Sequence, residues 1–329
     1  MSGVGLNQEM LLFAASLHID LAPKIFNFLT VAGHVGGYMI AIAILYAAVD
    51  KKIALQGAIL VLSTMVLNHL LKALIKNPRP FVSEGTYMDN WAVSPERAIQ
   101  LAADFSTPSG HAMAATAFYG FLFLKTKNRL AKTFFVIFPI AIGISRTGLG
   151  VHYLQDIILG WLIGGAIAVL GWVYSDRLLD RWCALSKTVQ ILAPMIVTLA
   201  FWSAVLVSTG KTTANYPSEF MSIPGFLTGV LVAVPLEREK FNFSASSSSS
   251  FGRILRLVFM ILLLVVLTLV LDVLIIAMLG DISEMSGSHL TVVRYLKYVI
   301  MGFAGIFIPS WIFARHNFLR TKSKSDAWR

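Results

Sequence analysis

The stretch Ile254–Leu279, ILRLVFMILLLVVLTLVLDVLIIAML, decides the fold: 26 residues carry two charges, Arg256 and Asp272. A helix rises 1.5 Å per residue, so this one is long enough to cross the roughly 30 Å hydrocarbon core of a bilayer. Eight more apolar stretches bounded by charge or turn residues accompany it, giving nine candidate spans. They run at about 25–49, 53–75, 110–124, 133–146, 153–174, 188–209, 218–236, 254–279 and 293–314. The third and fourth are short, and one end of each is expected inside the protein body.

The composition of the 329-residue chain demands the same reading. It is 57% hydrophobic and 13% charged, with a mean hydropathy of +0.73, whereas a soluble domain carries roughly 25% charged residues. A soluble enzyme and a disordered chain are excluded, and the single cysteine, Cys183, excludes a disulfide scaffold. The expected fold class is all-α, a polytopic membrane helix bundle. Three regions follow: residues 1–24 as an N-terminal interfacial segment (Gln8–Ile19 is apolar but too short to span), 25–175 as a catalytic transmembrane core, and 176–329 as a four-span extension. The extension holds a Ser-rich loop, Ser244–Ser250, read as a flexible linker, and ends in a basic tail. No cleavable signal is expected at the N-terminus.

Nine spans place the termini on opposite sides. Of the 27 Lys and Arg residues, 18 fall on the side of Lys51, Lys125, Arg177, Arg238 and the tail, and nine on the other. The excess marks the C-terminal side as cytoplasmic and the N-terminus as outside. The net charge of +10 is therefore orientation and anionic-lipid contact, with the bilayer as partner and no nucleic acid. The Gly33/Gly37, Gly160/Gly164 and Gly225/Gly229 pairs have the spacing of close helix contacts.

The outer face holds the chemistry. Lys72 ends the second span, and Arg79 follows between Pro78 and Pro80, about two helical turns later, so both cations can point one way. Thr107-Pro108-Ser109-Gly110-His111 opens the third span, with Pro108 read as first-turn and the free N–H groups as an anion site. Ser145-Arg146 closes the fourth span, and His152 and Asp156 begin the fifth, four apart on one helix face. There the carboxylate can orient the imidazole. Three cations, a helix N-terminus, two histidines and a carboxylate suit a phosphoryl group, whose charge spreads over three oxygens. A histidine backed by a carboxylate is a nucleophile, and a spare histidine can protonate a leaving oxygen. Two histidines and a carboxylate also resemble a zinc set, but the three cations would repel the ion; no metal or cofactor is expected.

Lys72-(six residues)-Arg79-Pro80, Pro108-Ser109-Gly110-His111 and Ser145-Arg146-(five residues)-His152-(three residues)-Asp156 together resemble the three-part signature of the type 2 phosphatidic acid phosphatase superfamily. That family includes lipid phosphate phosphatases, polyprenyl diphosphate phosphatases, glucose-6-phosphatase and the vanadium haloperoxidases. The resemblance covers about residues 25–175 and implies that His152 attacks phosphorus, Asp156 orients it and His111 protonates the leaving group. It implies that Lys72, Arg79, Ser109, Gly110, Ser145 and Arg146 hold the phosphoryl oxygens. The expected protein is a multi-pass phosphatase of a cell membrane (the inner one in a bacterium), acting on a lipid phosphate or polyprenyl diphosphate through a phosphohistidine on the periplasmic, exterior or lumenal face. Hydrolysis of a soluble sugar phosphate, or transport of a phosphorylated solute, are the competing readings.

Several residues carry weaker expectations. Lys72, Arg79 and Arg146 taken singly read as interfacial anchors. His34 and His69 read as packed span residues, with Asn68 one turn before Lys72 and able to orient it. Asp272 is an ionisable group inside a span, a functional candidate by default. The long loop Lys76–Thr107, with Tyr87, Met88, Trp91 and Arg97, is expected to shape headgroup recognition.

Overall fold

The computed structural model describes residues 21–80, 104–213, 217–241, 243, 245, 249–280 and 287–315. The interfacial segment Gln8–Ile19, the loop residues Tyr87, Met88, Trp91 and Arg97, Ser244 of the Ser-rich loop, and the tail beyond Arg315 lie outside the described residues.

Among the described residues the chain is entirely helical. Its elements are α1 (Leu21–Ala32), α2 (Val35–Ile44) with a π-turn (Leu45–Val49), α3 (Lys51–Ile75), α4 (Gly110–Lys125), α5 (Arg129–Gly148), α6 (Leu154–Ala184) and α7 (Lys187–Thr209). After a 3-10 turn (Ser218–Met221) come α8 (Ser222–Lys240), α9 (Ser250–Leu279) and α10 (Gly287–Arg315). Six of these, α3, α5, α6, α7, α9 and α10, are long and apolar enough to cross a membrane, and the α1–α2 pair makes a seventh if it counts as one span.

Two details bear on the sequence reading. The first span is not continuous: it breaks after Ala32 and bends by 60°. Gly33 and His34 sit at the break, where Gly33 cannot accept a Cβ without meeting Ile142 at 2.7 Å. Helices α4 and α8 occupy the remaining predicted spans but are not among the helices that length and apolarity alone mark as crossing. Helix α4 has 16 residues, about 24 Å at 1.5 Å per residue, and α8 ends in Glu237, Arg238, Glu239 and Lys240.

The chain divides into two compact units, residues 1–38 with 64–173, and 39–63 with 174–329. In the first unit, α1 and α4 both pack on α5. Glycines set the spacing: a Cβ at Gly164 would lie 2.4 Å from the Met113 carbonyl, and one at Gly143 2.6 Å from the Trp161 ring. Helix α6 therefore lies close against α4 and α5, which brings the start of α4, the end of α5 and the start of α6 to one place.

In the second unit α8 packs along α10 at backbone contact, since a Cβ at Gly229 would be 2.2 Å from the Val299 carbonyl, the small-residue packing that Gly225/Gly229 predicts. Its interior is polar in places. Lys51 and Glu237 form a buried pair at 2.9 Å, and Tyr46 Oη lies 2.6 Å from Ser310 Oγ. Buried Arg256 donates to the Ala245 carbonyl and lies against the faces of Phe243 and Phe313. Phe243 and Ala245 are themselves buried and Ser249 Oγ caps α9. The described part of the Ser-rich stretch is thus fastened by an arginine and a cap, which a reading from its composition alone misses.

Candidate active site

Helix α3 ends at Ile75, where Lys76 takes a left-handed φ of 56° and its amide closes on the Lys72 carbonyl at 2.9 Å. The chain then turns back, so Arg79 does not continue the phase of α3 as the two-turn spacing suggests. Lys72 and Arg79 nevertheless meet, because one oxygen of Asp104, Oδ2, bridges Lys72 Nζ and Arg79 Nη2 (2.9 Å to the latter). Arg79 is further held by the carbonyls of Asp104 (3.1 Å from Nε) and Val151 (3.1 Å from Nη1). Lys72, Arg79 and Arg146 are each 5% exposed or less. An interfacial anchor would extend its head into water; these three are enclosed by protein.

Helix α4 begins at Gly110 with Ser109 as N-cap. Pro108 therefore precedes the helix and is not in its first turn, as the sequence had implied. Ser109 Oγ does not cap α4 and has no partner among the described residues. The Ser109 amide donates to the Asp156 carbonyl at 3.0 Å, and Asn68 Nδ2 donates to the Pro108 carbonyl at 3.0 Å. Asn68 Oδ1 lies so close to Gly110 that a Cβ there would meet it at 2.9 Å, so a side chain at 110 would push the N-terminus of α4 away. Asn68 holds this turn and does not orient Lys72.

His152 lies two residues before α6 begins, so its relation to Asp156 comes from the turn into the helix and not from helix phase. Gly150 makes that turn with φ 68°. His152 Nδ1 is 3.4 Å from Asp156 Oδ2 and 3.2 Å from Ser106 Oγ, and Ser106 Oγ donates to the same carboxylate oxygen. The Asp156 carboxylate also accepts from Thr107 Oγ1 and from the Tyr153 amide at 2.9 Å. On the other side of the ring, His152 Nε2 is 3.3 Å from Arg79 Nη1. A guanidinium only donates, so Nε2 carries the lone pair and Nδ1 the proton. The imidazole is thereby held in the tautomer of a nucleophile, its proton toward Ser106 and Asp156. Burial, then Arg79, Lys72 and Arg146, hold His152 well below the ordinary 6.5, so it is neutral near pH 7. Burial would raise the Asp104 carboxyl, but Lys72 and Arg79 outweigh it and hold it at about 2.

His111 Nε2 is buried with no hydrogen-bond partner among the described residues, and the charges of Arg146 and Lys72 and the ring of His152 act on it. The His34 ring lies 6.1 Å away, centroid to centroid. At the end of α5, Arg146 Nη1 donates to Thr30 Oγ1 at 2.9 Å; Ser145 Oγ donates back to the Ile142 carbonyl at 2.7 Å. The structure thus gathers every residue of the three predicted stretches within one unit. It adds Asp104, Ser106 and Thr30, and gives Thr107 a bond to Asp156. Asp104 and Ser106 stand just before Thr107, where short polar residues ahead of a helix start are the available signal. Thr30 belongs to an apolar stretch and gives none. Among the described residues no group of three or more metal-ligating side chains converges.

A set of apolar helices that buries three cations around a carboxylate-backed histidine has the charge and the donors that a phosphoryl group requires. The comparisons narrow the reading. Residues 52–180 match the PAP2 superfamily, and residues 221–322 match the PAP2 superfamily phosphatase transmembrane extension. Over 165 residues the chain is 30% identical to undecaprenyl-diphosphatase BcrC of Bacillus subtilis (strain 168), covering 50% of this chain and 80% of that protein. Over 182 residues it is 24% identical to sphingosine-1-phosphate phosphatase 2 of Mus musculus, covering 53% of this chain and 49% of that protein, so the match spans about half of that relative's length. No solved structure matches significantly. This chain belongs to the PAP2 superfamily of membrane phosphatases.

Proposed function

We propose that the protein hydrolyses a lipid phosphate or polyprenyl diphosphate through a phosphohistidine on His152, without a metal. The observation that carries this reading is the His152 ring, with its lone pair toward Arg79 and its proton toward Ser106 and Asp156. Nε2 attacks phosphorus as the bond to the leaving oxygen breaks, and Lys72, Arg79, Arg146, Ser109 and the Gly110 amide hold the phosphoryl oxygens. The unpartnered Ser109 Oγ supports that role. His111, whose imidazolium form the incoming dianion favours, gives its proton to the leaving oxygen. It then takes one from the water that attacks phosphorus and breaks the N–P bond. Asp156 stabilises the imidazolium charge. Ser145 is assigned to the phosphate cradle with Arg146.

Both relatives act, by their names, on phosphates carried by long apolar groups, and the apolar helices of this chain suit a substrate whose tail stays in the bilayer. The full topology belongs to the same proposal: nine spans, N-terminus outside, C-terminus cytoplasmic, and a site on the non-cytoplasmic face, as the Lys and Arg distribution demands. The test is phosphate release by the detergent-purified chain from phosphatidate, phosphatidylglycerophosphate, polyprenyl diphosphate, sphingosine-1-phosphate and glucose-6-phosphate, beside His152→Ala. Turnover of the lipid substrates that disappears in the variant is expected. Turnover of glucose-6-phosphate alone, or none in a folded protein, would overturn the reading.

A further inference from the structure

Arg79 has five N–H bonds to give, and four are committed: to the Asp104 carbonyl, the Val151 carbonyl, His152 Nε2 and Asp104 Oδ2. One remains, too few for the two-pronged grip by which a guanidinium takes a phosphoryl group. The commitments differ in kind. Two go to backbone carbonyls and keep the guanidinium in place whatever the side chains around it do. The other two go to an anion and to the lone pair that must reach phosphorus. Asp104 Oδ2 also bridges to Lys72. One oxygen shared between a lysine and an arginine is the geometry expected of a phosphoryl oxygen in the same place.

We propose that Asp104 competes with the phosphoryl group for Lys72 and Arg79: its carboxylate makes the contacts that phosphoryl oxygens take over on binding, and it reclaims them as phosphate leaves. The inference rests on the phosphatase reading and deepens it, since it gives the site a built-in means of product release. Among the described residues three buried cations, Lys72, Arg79 and Arg146, stand against two buried or half-buried carboxylates, Asp104 and Asp156. Without Asp104 the excess of positive charge around a bound phosphate grows from one to two, and phosphate is released more slowly. The backbone grip on Arg79 keeps the guanidinium at hand in either state.

The test is equilibrium binding of inorganic phosphate and of orthovanadate to the detergent-purified full chain, wild type beside Asp104→Ala and Asp104→Asn. Removing a unit charge a few ångströms from the ligand in a partly buried site should tighten phosphate binding about tenfold or more. The KM and kcat should fall together as product release becomes limiting, with kcat/KM far less changed. A purely structural aspartate, needed only to gather the cations, predicts the opposite sign: weaker binding of both anions and a lower kcat/KM. Equal or weaker phosphate binding by a folded variant therefore overturns the proposal. If the variants are unstable, phosphate should raise their melting temperature by more than it raises that of the wild type, because it takes the place of the missing carboxylate. No greater rise would overturn the proposal too. A wild-type chain that neither binds phosphate nor hydrolyses any substrate overturns the phosphatase reading itself, a result distinct from any failure of the variants.

Discussion

The two units bury charge in opposite ways. In the second, Lys51 pairs with Glu237, Arg256 donates to a carbonyl and lies against Phe313, and both cations lie over the ring of Phe243. In the first, one oxygen of Asp104 serves two cations, a guanidinium rests on the lone pair of a histidine, and Ser109 Oγ and His111 Nε2 have no partner among the described residues. Buried polar atoms ordinarily find partners. The second unit also leaves Glu237 Oε2 without a partner among the described residues, but there a carboxylate faces one lysine, whereas in the first one carboxylate oxygen is divided between two cations, the arrangement proposed to receive an anion.

That contrast can be broken at its strongest point. His152→Ala should remove turnover entirely, and Asp156→Asn should lower kcat by about 10²–10⁴-fold, as loss of a histidine's carboxylate does elsewhere, with each variant retaining its melting temperature within a few degrees. A large loss of stability without loss of kcat would make this cluster structural too. In the second unit the expectation reverses. Lys51→Met leaves Glu237 buried without its ion-pair partner and should cost about 3–5 kcal/mol of stability, read as a lower melting temperature in detergent. Lys51→Met with Glu237→Leu should recover much of it, and kcat per folded molecule should not move in either variant.

Ser106 tests the join between His152 and Asp156. Ser106→Ala removes the hydroxyl nearer to Nδ1 than the carboxylate is, and kcat should fall about tenfold, the order of one lost hydrogen bond to a charged group, with KM little changed. The pH profile sharpens the same point. In the proposed mechanism the neutral imidazole attacks, and burial with Arg79, Lys72 and Arg146 holds His152 well below 6.5. Activity is thus present above that depressed pKa and lost as pH falls through it. Once the ionisation of the substrate is divided out, the acid limb of kcat/KM should lie below 6.5; a limb above 6.5 would contradict this electrostatic account. The smallest effect is expected at Asp272, which Lys297 of α10 meets at 2.5 Å. With that partner the carboxylate inside α9 is accounted for as an ion pair, and Asp272→Asn should leave turnover within about twofold, since partly exposed pairs contribute little.

The membrane fold was legible because it depends on composition and on apolar length, both additive along the chain; Leu21–Val49, Lys51–Ile75 and Ser250–Leu279 fall where the hydropathy puts them. The break at Gly33–His34 was not legible, since the stretch stays apolar on both sides of it and the closeness of Ile142 to Gly33 is a tertiary contact. The three stretches containing Lys72, His111 and His152 were readable because their spacing is local, although the reasons for that spacing were not. Neither the Lys72–Arg79 nor the His152–Asp156 interval is a helix repeat in the structure; each crosses a turn, at Lys76 and at the start of α6.

The sequence by itself therefore determined that this is a helical membrane protein and singled out the cations, histidines and carboxylate proposed to carry its chemistry. The tertiary structure decided the partners: Asp104 between Lys72 and Arg79, Ser106 between His152 and Asp156, and Thr30 on Arg146. A helix or a span follows from the residues within it. A shared hydrogen bond depends on which atoms distant segments bring within 3 Å of each other, and that is fixed only when the helices pack.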